Sequence, residues 1–198
     1  MKQGLFPHTR KFEKPMSGEL VQKELARLSD EDALPKREVA TALFFQLVEK
    51  HLRAFVDKET SLPHIRAPYL YMSDEGFVTV FTVLYSLFRA SCEEAFTKSE
   101  EIGEHTVLTL EGKTAKKTVR DTLALSDKTL STLLLIAKAS GFSLDISVSD
   151  GVLRLRFSFV RFRAIPLSAY SCAEDFVSDK MYRAFQLFMR EGSDAFDA

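Results

Sequence analysis

Apolar and polar residues alternate on both sides of the dipeptide Asp150-Gly151, between positions 142 and 159. Aspartate followed by glycine favours a two-residue hairpin turn, because both residues tolerate the positive φ angles of a type I′ turn. If the chain reverses there, apolar pairs share one face and polar pairs share the other, and a shift by one residue would destroy this separation. We therefore predict an antiparallel hairpin with one buried face. The predicted apolar pairs are Val148–Leu153, Ile146–Leu155, Leu144–Phe157 and Phe142–Phe159, and the polar pairs are Asp145–Arg156 and Ser147–Arg154.

The residues just before the hairpin have the spacing of an amphipathic helix. Ser126 is a typical N-cap residue, and Gly141 is suited to end the helix. A helix followed by an amphipathic hairpin predicts an α/β (α+β) fold, a two-layer sandwich in which helices cover one face of a mixed, mostly antiparallel sheet. The apolar stripe predicted on this helix is Leu130, Leu133, Leu134 and Ala137.

Two longer amphipathic helices are predicted in the first half of the chain. One runs from Lys36 to about Glu59, because apolar residues recur in it at spacings of three and four. The other begins at Asp74, which we expect to be its N-cap. The stripe of the first helix is Phe44, Val48, His51 and Phe55, and that of the second is Phe77, Phe81, Leu84, Phe88 and Ala95.

Shorter signals predict the remaining elements and the domain organisation. The chain divides into an N-terminal arm with a short helix (1–35), a central domain (36–163) and a C-terminal helical extension (164–198). We expect a short helix over 17–28, an extended segment over 63–71, strands over 106–110 and 117–125 with a turn at Gly112-Lys113, and a terminal helix over 171–190 with Val177, Met181, Phe185 and Phe188 facing inward.

The composition narrows the class of protein. The chain has 198 residues, of which 45% are hydrophobic, and this is enough for one domain with a substantial core. Its net charge of -1 gives no reason to expect nucleic-acid binding. Cys92 and Cys172 have no metal-site spacing, and no apolar run is long enough to cross a bilayer. We expect a cytoplasmic location, although the chain could also be a piece of a longer, membrane-tethered protein.

Two segments of the chain, "LSTLLLIAKASGFSLDISVSDGVLRLRFSF" and "SDEGFVTVFTVLYSLFRASCEEAFT", have the patterns of a known domain. The first is similar to the unit that closes the ATPase domain of sensor histidine kinases, which has the Bergerat or GHKL fold, and the second is similar to the N-box helix of that domain. The resemblance covers roughly residues 36–163. It implies a two-layer sandwich, a nucleotide site that holds Mg-ATP, and a role in two-component signalling.

The N-box resemblance places unsuitable residues around that nucleotide. The upstream asparagine of the family falls on Ser86, and the asparagine that holds Mg²⁺ falls on Ala90, which offers the cation no oxygen ligand. A basic residue near the phosphates falls on Glu93, with Glu94 beside it. These two carboxylates would repel a triphosphate.

The glycines of the family are also missing. The resemblance places the adenine-binding aspartate at Asp121, but Leu123 and Leu125 stand where the family has glycine. The eight glycines of the chain lie at least nine residues apart, so no glycine-rich phosphate loop is present in the sequence. Asp121 and Ser86 are therefore predicted to be remnants of a cofactor site. We expect no catalytic residue, no metal ligand and no cofactor, with ATP as the alternative cofactor.

His51 lies in "EKHLRAF", which faintly resembles the phosphoacceptor box of the same kinases. Because His51 shares a helix stripe with phenylalanine and valine, we expect it to be a partly buried helix residue. His8, His64 and His105 accompany no metalloprotease or hydrolase motif. We therefore expect no metal site and no catalytic triad at these three histidines.

A strip of arginines is predicted on the outer face of the hairpin, at Arg154, Arg156, Arg161 and Arg163. We expect it to be a solvated sheet face with a cross-strand ion pair between Asp145 and Arg156. No aromatic residue is interleaved on that face, which argues against single-stranded nucleic acid as a ligand.

These observations predict a catalytically degenerate, sensor-histidine-kinase-like domain that acts in signalling by binding another protein. The expected partner is a kinase or a response regulator, and a homodimer could form through helix 36–59 or helix 171–190. The alternative is an active ATP-binding histidine kinase domain, or a phosphotransferase that uses His51.

Overall fold

The computed structural model describes residues 18–30, 32–53, 62–67 and 69–162, together with Lys180, Met181, Ala184 and Leu187. Within these ranges it has five helices and six strands. The helices are α1 (Gly18–Leu28), α2 (Thr41–Leu52), α3 (Asp74–Ser91), α4 (Val119–Leu123) and α5 (Asp127–Ala139). The strands are β1 (Arg37–Ala40), β2 (Tyr69–Met72), β3 (Glu93–Ile102), β4 (His105–Lys113), β5 (Phe142–Ser149) and β6 (Val152–Phe162).

The strands form one six-stranded sheet in the order β1-β2-β6-β4-β3, with β5 also paired to β6. Every pairing between these strands is antiparallel. The helices lie on one face of the sheet, where alternate residues of β6 are fully buried. The predicted α/β two-layer architecture is therefore confirmed.

The β5–β6 hairpin has the predicted register throughout. Asp150 and Gly151 both have positive φ, at 52° and 72°, as a type I′ turn requires. Leu155 is fully buried and Arg156 is exposed, in agreement with the predicted faces. Ile146 is only half-buried, because its strand, β5, pairs on one side only within the described sheet.

Helix α3 is the centre of the core. Its apolar residues pack against the inner face of the sheet, and 13 of its residues, on every side of the helix, are buried. Phe77 contacts rings from α2, α3, β5 and β6, with centroid separations of 5.0–6.1 Å. The rings around Phe77 are Phe44, Phe45, Phe81, Phe142, Phe157 and Phe159.

Several predicted boundaries are wrong. The helix predicted from Lys36 begins only at Thr41, because Arg37–Ala40 pairs with β2 as a strand. The cap of α3 is Ser73 rather than Asp74, since the Ser73 side chain accepts a hydrogen bond from the Gly76 amide at 3.4 Å. On α5, Ser126 is the cap as predicted, but Leu134 is exposed, and the buried stripe consists of Thr129, Leu133, Ile136 and Ala137.

The region around β3 and β4 shows the largest differences. Helix α3 ends at Ser91, so Ala95 and the two glutamates, Glu93 and Glu94, lie in strand β3 instead of on the helix. Gly112-Lys113 is the end of β4 and not a turn. A Cβ at Gly112 would lie 2.6 Å from the Cys92 Cβ, so glycine is needed here for close packing.

The ends of the chain are described only in part. The predicted helix 17–28 is confirmed as α1. Of the predicted helix 171–190, the described residues Lys180, Met181, Ala184 and Leu187 are helical, and the last three are buried. Val177, Phe185 and Phe188 lie outside the described residues, as do Phe55, Arg163 and Cys172.

Candidate functional site

The connection from β4 to α5, residues 114–126, is where the sequence places the remnant nucleotide site. It was predicted to contain a strand over 117–125, but it forms the short helix α4. Thr118 starts this helix, because its Oγ1 accepts a hydrogen bond from the Asp121 amide at 3.1 Å. Ala124 ends it in the left-handed conformation, with φ of 51°. A Thr-x-x-Asp cap was the signal that the strand prediction overlooked.

Asp121 lies at the third position of α4 and its side chain faces solvent. Its carboxylate accepts a hydrogen bond from the Thr118 hydroxyl at 2.7 Å, so the hydroxyl that caps the helix also holds the Asp121 side chain. Leu123 and Leu125, which stand where the family has glycine, are buried in the core. Both positions therefore contribute apolar packing at this point of the fold.

Ser86 lies on α3 and is only 6% exposed. Its hydroxyl oxygen has no hydrogen-bond partner among the described residues, and neither has that of Thr82, one turn earlier on the same helix. Ser86 is therefore closed off from solvent, whereas Asp121 is open to it. The two predicted remnant residues do not meet on a common open surface, and their assignment to a nucleotide site stays a prediction.

The face of α3 that carries Ser86 points away from the sheet. Ser86 lies about half a turn around the helix axis from Phe77 and Phe88, given about 100° per residue. These phenylalanines face the sheet, yet Thr79, Thr82 and Ser86 on the opposite side are all buried. Other segments of the chain must therefore cover this side of α3.

The ion pairs of Glu75 identify the segments that reach the side of α3 turned away from the sheet. Its Oε1 lies 2.6 Å from the Arg27 guanidinium on α1 and 2.8 Å from the Lys180 ammonium in the C-terminal extension. Arg27 also pairs with Glu24 at 2.7 Å. Both extensions of the chain are thus joined to the first turn of α3, above the buried stripe of Thr79, Thr82 and Ser86.

The electrostatics of this cluster favour its charged form. Burial alone would raise the pKa of Glu75, but the hydrogen bonds from Lys180 and Arg27 outweigh it and hold the pKa below its usual value of 4.5. The hydrogen bond to Glu24 raises the pKa of Arg27, so this guanidinium stays protonated. The cluster of Glu75, Arg27 and Lys180 therefore holds segments of the chain together, and it offers no group for proton transfer near neutral pH.

The first turn of α3 is held on its other side by Asp74. Its carboxylate is 4% exposed and lies 2.6 Å from the Arg37 guanidinium on β1. The same carboxylate accepts a hydrogen bond from the Glu75 amide at 2.9 Å. Asp74 and Glu75 therefore fix the N-terminus of α3 between β1, α1 and the C-terminal extension.

The surface beside α4 has a shallow depression of about 510 Å³. It contains no buried titratable group, and Arg120 pairs with Asp127 at 3.6 Å. No group of three or more potential metal ligands exists within the described residues. The residues that line the depression are Lys116, Arg120, Asp121, Ala124, Leu125 and Ser126.

Of the predicted arginine strip, Arg154 and Arg156 lie on the face of the sheet opposite the helices. Arg156 lies opposite Asp145 in register, but no ion pair joins them; instead Arg154 pairs with Glu111 on β4 at 3.3 Å. Arg156 and Asp145 both line an open groove of about 360 Å³. The side chains of Arg161 and Arg163 lie outside the described residues.

The three described histidines, His51, His64 and His105, lie in different elements and form no shared site. His51 is half-buried on α2, and its Nε2 is fully buried, as expected for a helix residue. His64 lies in the extended segment 62–67, where its carbonyl accepts a hydrogen bond from Ser99. His105 begins β4, and His8 lies outside the described part of the chain.

None of the described helices is long and apolar enough to span a membrane.

Comparison with known proteins shows similarity in structure alone. No family model matches this sequence, and no curated protein matches it. A solved structure, the histidine kinase AdeS of Acinetobacter baumannii, superposes with a TM-score of 0.51 at 16% sequence identity. The match covers 71% of this chain and 76% of that one. The chain therefore has a histidine-kinase-like fold.

Proposed function

We propose that this chain is a catalytically degenerate, histidine-kinase-like domain that works in signalling by binding another protein and does not turn over Mg-ATP. The observation that carries the proposal is the use of the predicted remnant residues in the fold itself. Ser86 is buried on α3, so its hydroxyl is closed off from a ligand. Asp121 lies in α4, where its amide and its carboxylate are both hydrogen-bonded to the Thr118 hydroxyl that caps the helix.

The chain between β4 and α5 supports the same conclusion. Residues 114–126 contain no glycine, and their backbone is fixed by α4 and by the buried Leu123. A phosphate-binding loop needs backbone N–H groups that converge on the ligand, and glycine permits that close approach. The position that the resemblance gives to the Mg²⁺ ligand is Ala90, which has no oxygen in its side chain.

Helix α5 supports a role in protein binding. Leu134 and Leu135 are 38% and 54% exposed, and they are neighbours in the middle of the helix. Large apolar side chains that are exposed side by side are typical of surfaces that bind another protein. We propose a kinase or a response regulator as the partner class, because the fold is that of a histidine kinase.

The test is thermal unfolding with millimolar ATP, ADP or a non-hydrolysable ATP analogue, each with and without Mg²⁺. A ligand at one hundred times its Kd would stabilise the domain by about 2.7 kcal/mol, which shifts the melting temperature by several degrees. We expect no shift. A Mg²⁺-dependent shift that disappears in Asp121→Asn would establish the alternative, an ATP-binding kinase domain. Thr118→Ala is the control, because it removes the hydroxyl that is bonded to Asp121 and leaves the Asp121 carboxylate in place.

The proposed binding to a kinase or a response regulator is tested separately. The chain is titrated with the kinases and receiver domains encoded in the same genome, with binding followed by calorimetry. We expect one of them to bind, and Leu134→Ser with Leu135→Ser to abolish that binding. Leu43→Ser, on the exposed side of α2, is the control because Leu43 is 42% exposed. Absence of binding to every candidate would reject the proposed partner class.

A further inference from the structure

One side of strand β5 is open along its whole length. The strand pairs with β6 over residues 142–149 without a register shift, and in the described part of the chain these residues make hydrogen bonds to β6 alone. The pair Ser149–Val152 closes a two-residue turn, so it exchanges both backbone hydrogen bonds, and such pairs recur at every second residue. The backbone groups that point to the open side are therefore those of Leu144, Ile146 and Val148.

Strand β5 lacks the features that usually protect an open edge. Edge strands commonly use lysine, proline, a bulge or short length to prevent pairing with another chain. Strand β5 has eight residues, with no lysine, no proline and no bulge among them. Its charged side chain, Asp145, is exposed on the sheet face away from the helices. On the helix side, three apolar residues that pack against the core are only half-buried: Leu144, Ile146 and Val148.

The sequence of β5 is complementary to itself when a second copy is reversed about Ile146. In that register Leu144 faces Val148 twice, and Ile146 faces its own counterpart. The open backbone groups of the two strands then meet, and the apolar side chains continue the inner face of the sheet. On the other face, Asp145 lies opposite Ser147 of the second copy, where the carboxylate is able to accept a hydrogen bond from the serine hydroxyl.

The neighbouring registers of the same pairing are less favourable. Because side chains alternate between the two faces, the register shifts in steps that keep each face together. Reversal about Asp145 would place this carboxylate opposite its own counterpart, which is repulsive. Reversal about Ser147 would place Leu144 opposite Asp150 in the turn and would lose one apolar pair. The side-chain pattern therefore favours reversal about Ile146.

Opposite charges approach each other at both ends of this pairing. The Lys36 side chain lies against Gly141, since its Cδ is 3.1 Å from the position that a Gly141 Cβ would occupy. Asp150 of the second copy is opposite Phe142, the residue after Gly141, so its carboxylate is brought toward Lys36. Neither Lys36 nor Asp150 belongs to an ion pair within the described residues. The two-fold axis repeats this contact at the other end of the strand.

We propose that β5 is a self-association edge, through which two copies of this chain form a two-fold symmetric dimer with one continuous sheet. Strand addition supplies main-chain hydrogen bonds, and the side-chain pattern fixes the register. The contact is isologous, because the same residues serve in both copies. Each β5 closes the open edge of the other, so no β5 edge is left for a third copy. This inference is independent of the proposed binding to a kinase or a response regulator.

The test uses Ser147, which faces Asp145 of the second copy. Sedimentation over a wide range of protein concentration should show the wild-type chain changing from monomer to dimer. Ser147→Asp places like charges opposite one another twice, so it should weaken the dimer about tenfold. Ser147→Lys places opposite charges there and should strengthen the dimer. Ser143→Asp is the matched control, because it adds the same charge to the same face of β5 but faces Ser149, and it should change the dimer little.

Hydrogen exchange of the wild-type chain is an independent measurement. The amides of Leu144, Ile146 and Val148 should exchange more slowly at concentrations where the dimer forms. Circular dichroism verifies that each variant is folded. The proposal is overturned if the wild-type chain is monomeric at every concentration, or if Ser147→Asp leaves the dimer unchanged, since another surface would then form it. It is equally overturned if Ser147→Lys or Ser143→Asp weakens the dimer as much as Ser147→Asp does, since the register would then be wrong.

Discussion

The Lys180 ammonium lies 2.8 Å from Oε1 of Glu75 and so joins the C-terminal extension to the first turn of α3. The same oxygen is 2.6 Å from the Arg27 guanidinium on α1. Two cations from opposite ends of the chain therefore share one carboxylate. Because Glu75 precedes the buried stripe of Thr79, Thr82 and Ser86 on the outer side of α3, this cluster helps to hold that side closed.

Replacing Glu75 with glutamine should destabilise the protein at neutral pH. The change removes the carboxylate charge that Arg27 and Lys180 share, and we expect a loss of roughly 1–3 kcal/mol in the free energy of unfolding. Urea unfolding at pH 7 measures this difference. Glu93→Gln is the control, because Glu93 is exposed and its replacement should change stability little.

The effect of Glu75 should also depend on pH in a defined direction. The pKa of Glu75 is held below its usual value of 4.5 in the folded protein, so its charged form stabilises the fold above that value. As the pH falls below 4.5 and through the lower, folded-state pKa, this stabilisation is lost. The stability difference between wild type and Glu75→Gln should therefore shrink in acid. A difference that stays constant from pH 7 to strong acid would contradict the role assigned to this carboxylate.

The hairpin shows which part of the fold the sequence alone could predict. Its register was predictable because the turn dipeptide and the alternation of side chains favour one and the same pairing. Strand β3 was missed for the opposite reason. Most of its residues are polar, and no glycine or proline separates it from α3, so the helical pattern continues through Cys92 in the sequence.

The candidate site was less predictable than the fold. The sequence identifies Ser86 and Asp121 by position, but it does not show that one is buried and that the other lies in a capped helix. Ser86 is buried on the side of α3 that Arg27 and Lys180 reach, and those residues are distant in sequence. The spacing of Thr118 and Asp121 is that of a helix cap, but the residues between Lys117 and Leu125 also fit a strand.

The turn at Asp150-Gly151 should require glycine at its second position, Gly151, and should tolerate a change at its first position, Asp150. Gly151 has a φ of 72°, which alanine adopts at a cost of roughly 1–2 kcal/mol. We expect Gly151→Ala to lower the free energy of unfolding by about that amount in thermal or urea denaturation. Asp150→Gly should be tolerated, because glycine readily adopts the φ of 52° found there. Equal effects of both changes would argue against a type I′ turn.

Gly76 should be required for the close contact between α3 and the end of α5. A Cβ at this position would lie 1.7 Å from the Ser140 Oγ and 2.8 Å from its Cβ. We expect Gly76→Ala to destabilise the protein by roughly 1–3 kcal/mol, since the two helices would have to separate. Ser140→Ala removes the nearer atom, so the double variant should be destabilised by less than the sum of the two single effects. Additive effects in urea unfolding would show that the two residues do not compete for this space.

Thr82→Val should stabilise the protein. Thr82 is fully buried on α3, and its hydroxyl has no hydrogen-bond partner among the described residues. Valine has nearly the same shape and carries no polar atom to desolvate, so we expect a gain of about 1 kcal/mol. Thr79 provides a control on the same helix face, because its hydroxyl donates a hydrogen bond to the Glu75 carbonyl at 2.9 Å. Thr79→Val should therefore bring no comparable gain. If Thr82→Val instead destabilised the fold in urea unfolding, the hydroxyl would have a partner in solution, and this side of α3 would be open to water or to a ligand.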